Sequence, residues 1–276
     1  MLIDAILFTD ELDMLELRLR ELNPIIDKFV IVEALEAHGS AKRREPCFLY
    51  HRDHPALKKF AHKIVYEMLT ELKPPYTDGQ SGWARENYHR ECLMLPVLQI
   101  AGPDDIVIVS DADEIPRAKT IQRYLGLRDQ IPGLCFLRLD HYFYNVNCYD
   151  AVWMRSSIGP LRAYQDMGGF QPPRGHLGDV IGREVTALNN AGWHFSSFFP
   201  VERLREKLQN FAHAYEVRPL LEFSDDQLKT IIRARKNIFT GKDLAHRPTL
   251  NPTLPQYFLD NLERFSAFTE EGLCST

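Results

Sequence analysis

Three carboxylates stand within four residues at Asp111-Ala112-Asp113-Glu114, directly behind the apolar run Ile106-Val107-Ile108-Val109. A short apolar run bounded by turn signals reads as a buried strand. Open α/β sheets take their ligands at the carboxyl ends of such strands. Carboxylates this close repel one another unless a cation neutralises them. Asp111 and Asp113, at alternate positions, can set two oxygen donors near one hard divalent ion while the backbone turns between them. A solvated acidic turn after a core strand is the competing reading. The apolar strand before the motif and Glu114-Ile115-Pro116 after it favour a metal or phosphate-chemistry site.

Three further constellations could join it. Gly192-Trp193-His194-Phe195-Ser196 places a histidine on a short aromatic strand. Taken by itself such a histidine is a structural residue, but an imidazole completing a carboxylate-rich site favours a manganese-like ion over calcium. Trp83-Ala84-Arg85-Glu86-Asn87-Tyr88-His89-Arg90 follows a flexible loop and carries charge at near-helical spacing, on either a solvated or a ligand-facing helix face. Lys207, with His213 and Glu216 on one expected helix, could stabilise diphosphate charge.

The elements that must position these groups alternate. Strands are expected at Met1 to Phe8, Lys28 to Ala34, Lys63 to Leu69 and Asp104 to Ser110. Between them fall a helix over Glu11 to Leu22, with Asp10 able to cap it, and a helix over Ala84 to Gln99 that Pro96 distorts or ends. This order predicts an α/β fold with a mainly parallel central sheet flanked by helices. Beyond the acidic motif the pattern changes to an aromatic stretch, Leu134 to Tyr144, and a Gly- and Pro-rich connection over Gly159 to Gly182. A strand over Trp193 to Phe199, a helix over Val201 to Tyr215 and a helix boxed by Ser224 and Gln227 follow, then a proline-rich tail from Arg247.

The 276 residues suit one domain. A formal net charge of -5 and a pI near 6.1 argue against broad phosphate neutralisation, so no nucleic-acid partner is expected. Five scattered cysteines without a C-x-x-C pair read as reduced, cytosolic usage. Acidic residues interrupt the apolar N-terminus within a few positions, and no stretch approaches ~18 uninterrupted apolar residues. The expectation is a soluble cytoplasmic protein with no transmembrane segment.

The order FTDELDMLELRLREL, DKFVIVEA, WARENYHR, DDIVIVSDADEIP and AGWHFSSF resembles glycosyltransferase family 17, over about Ile3 to Glu216. SDADEIP and GWHFS are its most specific pieces. The best-known members add the bisecting N-acetylglucosamine of N-glycans in a β-1,4 linkage. The resemblance implies a GT-A, nucleotide-diphospho-sugar transferase fold in one domain. Residues 1–116 would be its nucleotide-binding half, 117–216 its acceptor and metal half, and 217–276 a C-terminal helical tail. It also implies that Asp111 and Asp113 hold a divalent ion, manganese ahead of magnesium, with His194 as third ligand. Thr9, Glu11 and Glu33 would approach the nucleotide, and Trp83, Arg85, Glu86 and Arg90 match the family segment ahead of the acidic motif. In one place the chain departs. Where the family continues from the second strand with a Thr-Phe-containing stretch before a Gly and Lys, it has Ala37-His38-Gly39-Ser40-Ala41-Lys42. The family's donor-base and sugar contacts are therefore not carried over there, nor are its membrane anchor and N-glycan acceptor.

The implied reaction is inverting, metal-dependent transfer of a sugar, N-acetylglucosamine from UDP-GlcNAc being the expected case, to a glycan or small-molecule hydroxyl. The metal, with Lys207 or an arginine, would stabilise the departing nucleoside diphosphate, Asp111 lying against the same donor. A carboxylate between the two signature motifs would deprotonate the acceptor. Asp179 is preferred, with Asp166 and Glu184 as alternatives and Asp140 an outsider. Two rivals stand beside this reading: a haloacid-dehalogenase-like phosphatase with a D-x-D nucleophile strand, and a non-catalytic carbohydrate-binding protein on the same scaffold.

Overall fold

The computed structural model describes residues 1–77, 82–131, 133–175 and 186–270. Ten strands run through them: β1 (Leu2–Phe8), β2 (Lys28–Ala34), β3 (Ile64–Leu69), β4 (Ile106–Asp111), β5 (Glu114–Pro116), β6 (Cys135–Phe143), β7 (Cys148–Trp153), β8 (Ser157–Pro160), β9 (Ala187–Ser196) and β10 (Ala245–His246). The helices are α1 (Leu12–Leu22), α2 (Cys47–His51), α3 (Pro55–Lys58), α4 (Gly82–Glu91), α5 (Met94–Ile100), α6 (Ala118–Leu127), α7 (Leu161–Asp166), α8 (Gln171–Gly175), α9 (Val201–Asn210), α10 (Asp225–Arg233) and α11 (Gln256–Asp260). All ten strands belong to one sheet, so the expected α/β class with a helix-flanked central sheet is what the chain adopts.

Strands β3, β2, β1 and β4 lie side by side and parallel. Side chains alternate across β1, so both of its faces are apolar. Leu2, Ile6 and Phe8 pack with Leu15, Leu19 and Leu22 of α1. Ile3, Ala5 and Leu7 pack with Leu93 and Val97 on the other side. Beyond β4 the sheet turns mixed: β8 joins β4 and β6 antiparallel, β7 joins β6 antiparallel, and β9 lies parallel to β6 but antiparallel to β5. The parallel order thus holds for the first four strands. The remainder is mostly antiparallel, with β9 alone running parallel to its neighbour β6.

The helix expected over Ala84 to Gln99 is two helices, α4 and α5. Proline has no amide hydrogen and its ring crowds the carbonyl four residues back, here Cys92, where the break falls. In the first turn of α5 Pro96 is tolerated, because that donor has no helical acceptor anyway. The Gly- and Pro-rich connection holds β8, α7 and α8 before residues 176–185, which lie outside the described set. The Ser224 capping box forms as expected. Among the described residues no helix is long and apolar enough to cross a membrane.

Candidate active site

The acidic motif is a tight reversal: β4 ends at Asp111, Ala112 and Asp113 turn, and β5 begins at Glu114. Arg18 of α1 holds it from beneath. This fully buried guanidinium donates to both oxygens of Asp4 at 2.7 and 2.6 Å and to Ser110 Oγ at 2.6 Å. It also donates to the carbonyls of Asp111 (2.9 Å) and Glu114 (2.7 Å), one at each end of the turn. All five of its N–H donors are thereby used. A buried charge this completely paired fixes geometry more than it adds stability.

Glu114 points inward and is completely buried. It accepts from Trp153 Nε1 at 2.5 Å, Ser156 Oγ at 2.7 Å, the Asp111 amide at 3.1 Å and Arg174 at 2.9 and 3.0 Å. Burial would raise its pKa, but the Arg174 guanidinium and these donors hold the carboxyl far below the usual range. Arg174, delivered by α8, also bonds Asp111 Oδ2, while Arg90 of α4 bonds Asp111 Oδ1 at 2.8 Å. Both Asp111 oxygens are therefore taken by guanidinium groups. Burial nonetheless leaves its pKa raised, with Glu114 and Glu86 adding to the rise against the two arginines.

Asp113 faces the other way. Its Oδ2 lies 3.5 Å from His194 Nε2. Despite burial its pKa is lowered, by His194 first and then by Lys207. Sheet register builds this side: Glu114 pairs with His194 across β5 and β9, and His194 with His141 across β9 and β6. Directly paired residues share a face, so the His141 and His194 rings stack at 4.4 Å, 8° from parallel, with Trp153 against both. Gly192 makes the register possible. A Cβ there would stand 2.1 Å from the Ile115 carbonyl oxygen, and φ is +148°. His194 Nδ1 and His141 Nε2 are buried without a hydrogen-bond partner among the described residues. An unpaired buried nitrogen costs about 1–3 kcal/mol.

These groups open into one cleft of about 1120 Å³. Thr9 and Glu11 line it from the end of β1, Trp83, Glu86 and Arg90 from α4, and Lys207 from α9, together with Asp111, Asp113 and His194. Burial and the neighbouring Asp10 and Asp113 raise the pKa of Glu11. Trp83 is held by Glu216 (Nε1 to Oε1, 3.0 Å) and stands edge-on to His213 at 4.2 Å. Helix α9 stops at Asn210, so His213 and Glu216 reach the cleft from the turns after it rather than from the same helix as Lys207.

Two expected nucleotide contacts point elsewhere. Glu33 is buried and accepts from the Phe48 amide at the start of α2 (3.1 Å) and from Tyr66 OH (2.7 Å). Strand alternation turns it into the layer rather than out of the strand end. Arg85 is likewise buried, donating to Glu36, the Ala37 carbonyl and the Pro74 carbonyl. One helix face separates it from Glu86 and Arg90: Arg85 and His89 lie on the face toward β2, four residues apart. Asp166, an expected candidate base, is exposed at the end of α7 and does not line the cleft. Asp179 and Glu184 lie outside the described residues. Arg174, His38 and His141 line the cleft without having been singled out from the sequence. Arg174 follows Pro172-Pro173, and only its long-range partners mark it.

One pair of donors has the spacing that a divalent cation requires. Adjacent ligands each ~2.1 Å from one ion stand ~3.0–3.5 Å apart, and the Asp113–His194 pair, at 3.5 Å, fits. Asp111 does not join them as a free ligand, and among the described residues no group of three or more His, Cys, Asp or Glu side chains converges on one point.

The chain's similarity to known proteins follows the same lines. It is 27% identical over 300 residues to the Homo sapiens β-1,4-mannosyl-glycoprotein 4-β-N-acetylglucosaminyltransferase, covering 95% of this chain and 54% of that one. The Rattus norvegicus protein of the same name is 27% identical over 305 residues, covering 97% and 54%. The chain thus spans about half the length of these curated relatives. Among solved structures, the 4-diphosphocytidyl-2C-methyl-D-erythritol synthase of Anaerococcus prevotii has a TM-score of 0.39 at 11% identity over 68% of this chain and 85% of that one. TarS 1–349 of S. aureus has a TM-score of 0.38 at 9% identity over 85% and 69%. The sequence profile of glycosyltransferase family 17 matches residues 1–274, and the chain belongs to that family.

Proposed function

We propose that the chain is an inverting, metal-dependent transferase that moves N-acetylglucosamine from UDP-GlcNAc to a hydroxyl of a glycan or small molecule. The observation that carries this reading is the division of labour in the acidic motif. Each Asp111 oxygen takes one guanidinium, from Arg90 or from Arg174, while Asp113 is left to pair with His194 in the cleft. Family membership supports the transferase class, and the named relatives support the sugar.

Asp113 and His194 would hold the cation, a carboxylate and an imidazole suiting manganese. When bound it supplies electrostatic stabilisation to the departing diphosphate. The remaining work falls to the protein. Lys207 and Arg203 line the cleft and add positive charge toward the leaving group. Arg90 and Arg174 hold the Asp111 carboxylate in one orientation, so that it meets the donor's hydroxyls as a fixed acceptor. Thr9 and Glu11 take the nucleotide side, and Trp83 offers an aromatic face at the rim. Asp179 is proposed as the base that takes the acceptor proton. Its place between the two signature motifs supports this. A phosphatase using Asp111 as nucleophile is disfavoured, since both of its oxygens are ion-paired.

The test is a panel of nucleotide sugars incubated with manganese, followed for release of nucleoside diphosphate. UDP-GlcNAc hydrolysis that disappears with chelator and in Asp113→Ala is expected. Turnover of a generic aryl phosphate with magnesium, and none of any nucleotide sugar, would sink the reading.

A further inference from the structure

The turn after β2, Ala37 to Lys42, puts a histidine into the cleft. His38 Nε2 lies 3.1 Å from His89 Nδ1, and His89 Nε2 lies 2.9 Å from the Val32 carbonyl oxygen. A carbonyl oxygen has no hydrogen to give, so His89 Nε2 must carry one and donate. His89 is completely buried inside α4, where a charged imidazole is disfavoured. Burial accordingly holds His89 near pH 3 and His38 near pH 4. A neutral His89 protonated on Nε2 has a bare Nδ1, which accepts from His38. His38 therefore carries its hydrogen on Nε2, and its Nδ1 is bare. No donor among the described residues takes that nitrogen.

His38 follows β2, whose neighbour β1 ends at Thr9 and Glu11 on the same cleft. The Asp113–His194 pair sits on the other side, beyond β4 and against β5, β9 and β6. A donor whose diphosphate lies at that pair extends one arm toward the acceptor half and the other over β1 and β2. The sugar must face the acceptor, so the nucleoside takes the second arm.

Resting on the transferase reading above, we propose that His38 is a specificity-determining residue whose bare Nδ1 accepts a polar hydrogen from the donor's nucleoside. The relay Val32 to His89 to His38 makes this nitrogen an acceptor only. It therefore favours a base with an imide N–H, such as uracil, and repels cytosine, which presents a lone pair at the same ring position. A ribose hydroxyl offers the same chemistry, and the ligand series below separates the two.

Binding of UDP, CDP, N3-methyl-UDP, 2′-deoxy-UDP and 3′-deoxy-UDP is measured calorimetrically in manganese on the wild type, His38→Phe and His38→Asn. The wild type should bind UDP, and His38→Phe should lose roughly tenfold, the worth of one neutral hydrogen bond. His38→Asn, which keeps an acceptor close to the ring Nδ1, should recover most of it. If the base is read, CDP and N3-methyl-UDP are the weak ligands of the wild type; if the ribose is read, a deoxy analogue is. In either case His38→Phe should no longer discriminate against that ligand. Unchanged UDP affinity in His38→Phe, or discrimination that survives it, overturns the assignment while leaving the transferase reading standing. A wild type that binds no nucleoside diphosphate with manganese overturns both. Independently of any nucleotide, the ¹⁵N-imidazole spectrum of the free protein should show His38 protonated at Nε2, and protonation at Nδ1 overturns the assignment.

Discussion

Two histidine pairs face the same cleft and are built on opposite principles. His38 and His89 form a chain of hydrogen bonds that ends on a backbone carbonyl, so each proton has one place to be. His141 and His194 are stacked face to face, and each keeps a buried ring nitrogen with no partner among the described residues. The first pair is complete and presents a fixed acceptor. The second is costly as it stands: His194 Nδ1 and His141 Nε2 are the orphaned nitrogens, while His194 Nε2 is the one that faces Asp113. On the proposed reading, one cleft thus divides into a side that reads the nucleoside and a side that binds charge.

The sharpest way to break this comparison is at the charge-binding side. Asp113→Ala should lower manganese-dependent turnover of the nucleotide sugar by about 100- to 1000-fold with little change in fold, because a preorganised electrostatic partner is lost. Activity within threefold of the wild type would remove Asp113 from the site. Next in size is a contrast between the pairs. His89→Leu leaves the His38 Nε2 hydrogen without its acceptor and should cost about 1–3 kcal/mol of stability in urea melts. His194→Leu removes an unpaired Nδ1 together with the imidazole that faces Asp113, so the metal-free protein should lose less stability than His89→Leu does. Its manganese affinity should nonetheless fall at least about tenfold. Equal destabilisation by the two substitutions would erase the distinction.

The parallel half of the fold was legible because β1, β2 and β4 are buried on both faces. KFVIVEA runs from Lys28 to Ala34 in sequence pattern and in structure alike. β7, CYDAVW, is half exposed and carries no such run, and β5 is three residues long, so neither announces itself. The acidic motif, GWHFS and the α4 segment were legible as chemistry, but not how their side chains divide. Arg85 and Glu86 are neighbours in sequence, yet helical geometry sends one to the Glu36 loop and the other to the cleft. Glu33 sits at a strand end as expected, and alternation aims it inward. Arg174 and His141 become functional only through partners dozens of residues away, and local pattern carries no trace of those.

The smallest effect separates the pairs by protons. Burial depresses His38 to about 4, His89 to about 3 and His141 to about 2, against ~6.5 in an unfolded chain. Between pH 6.5 and 4 the unfolded chain therefore binds protons that the folded one refuses, and stability must rise with pH across that window. It is fully present above pH 6.5 and is lost as pH falls toward 4. The double substitution His38→Asn/His89→Leu removes two such groups and His141→Phe removes one. Proton uptake on unfolding at pH 5, from the pH dependence of urea midpoints, should accordingly drop by about two in the first case and about one in the second. Carboxylates remote from the substituted histidines contribute equally in all three proteins, and Glu86, beside His38, stays ionised at pH 5, its pKa held low against burial by Arg90 first. If the double variant matches the wild type, the His38–His89 relay is not neutral in the folded protein, and its fixed tautomer falls with it.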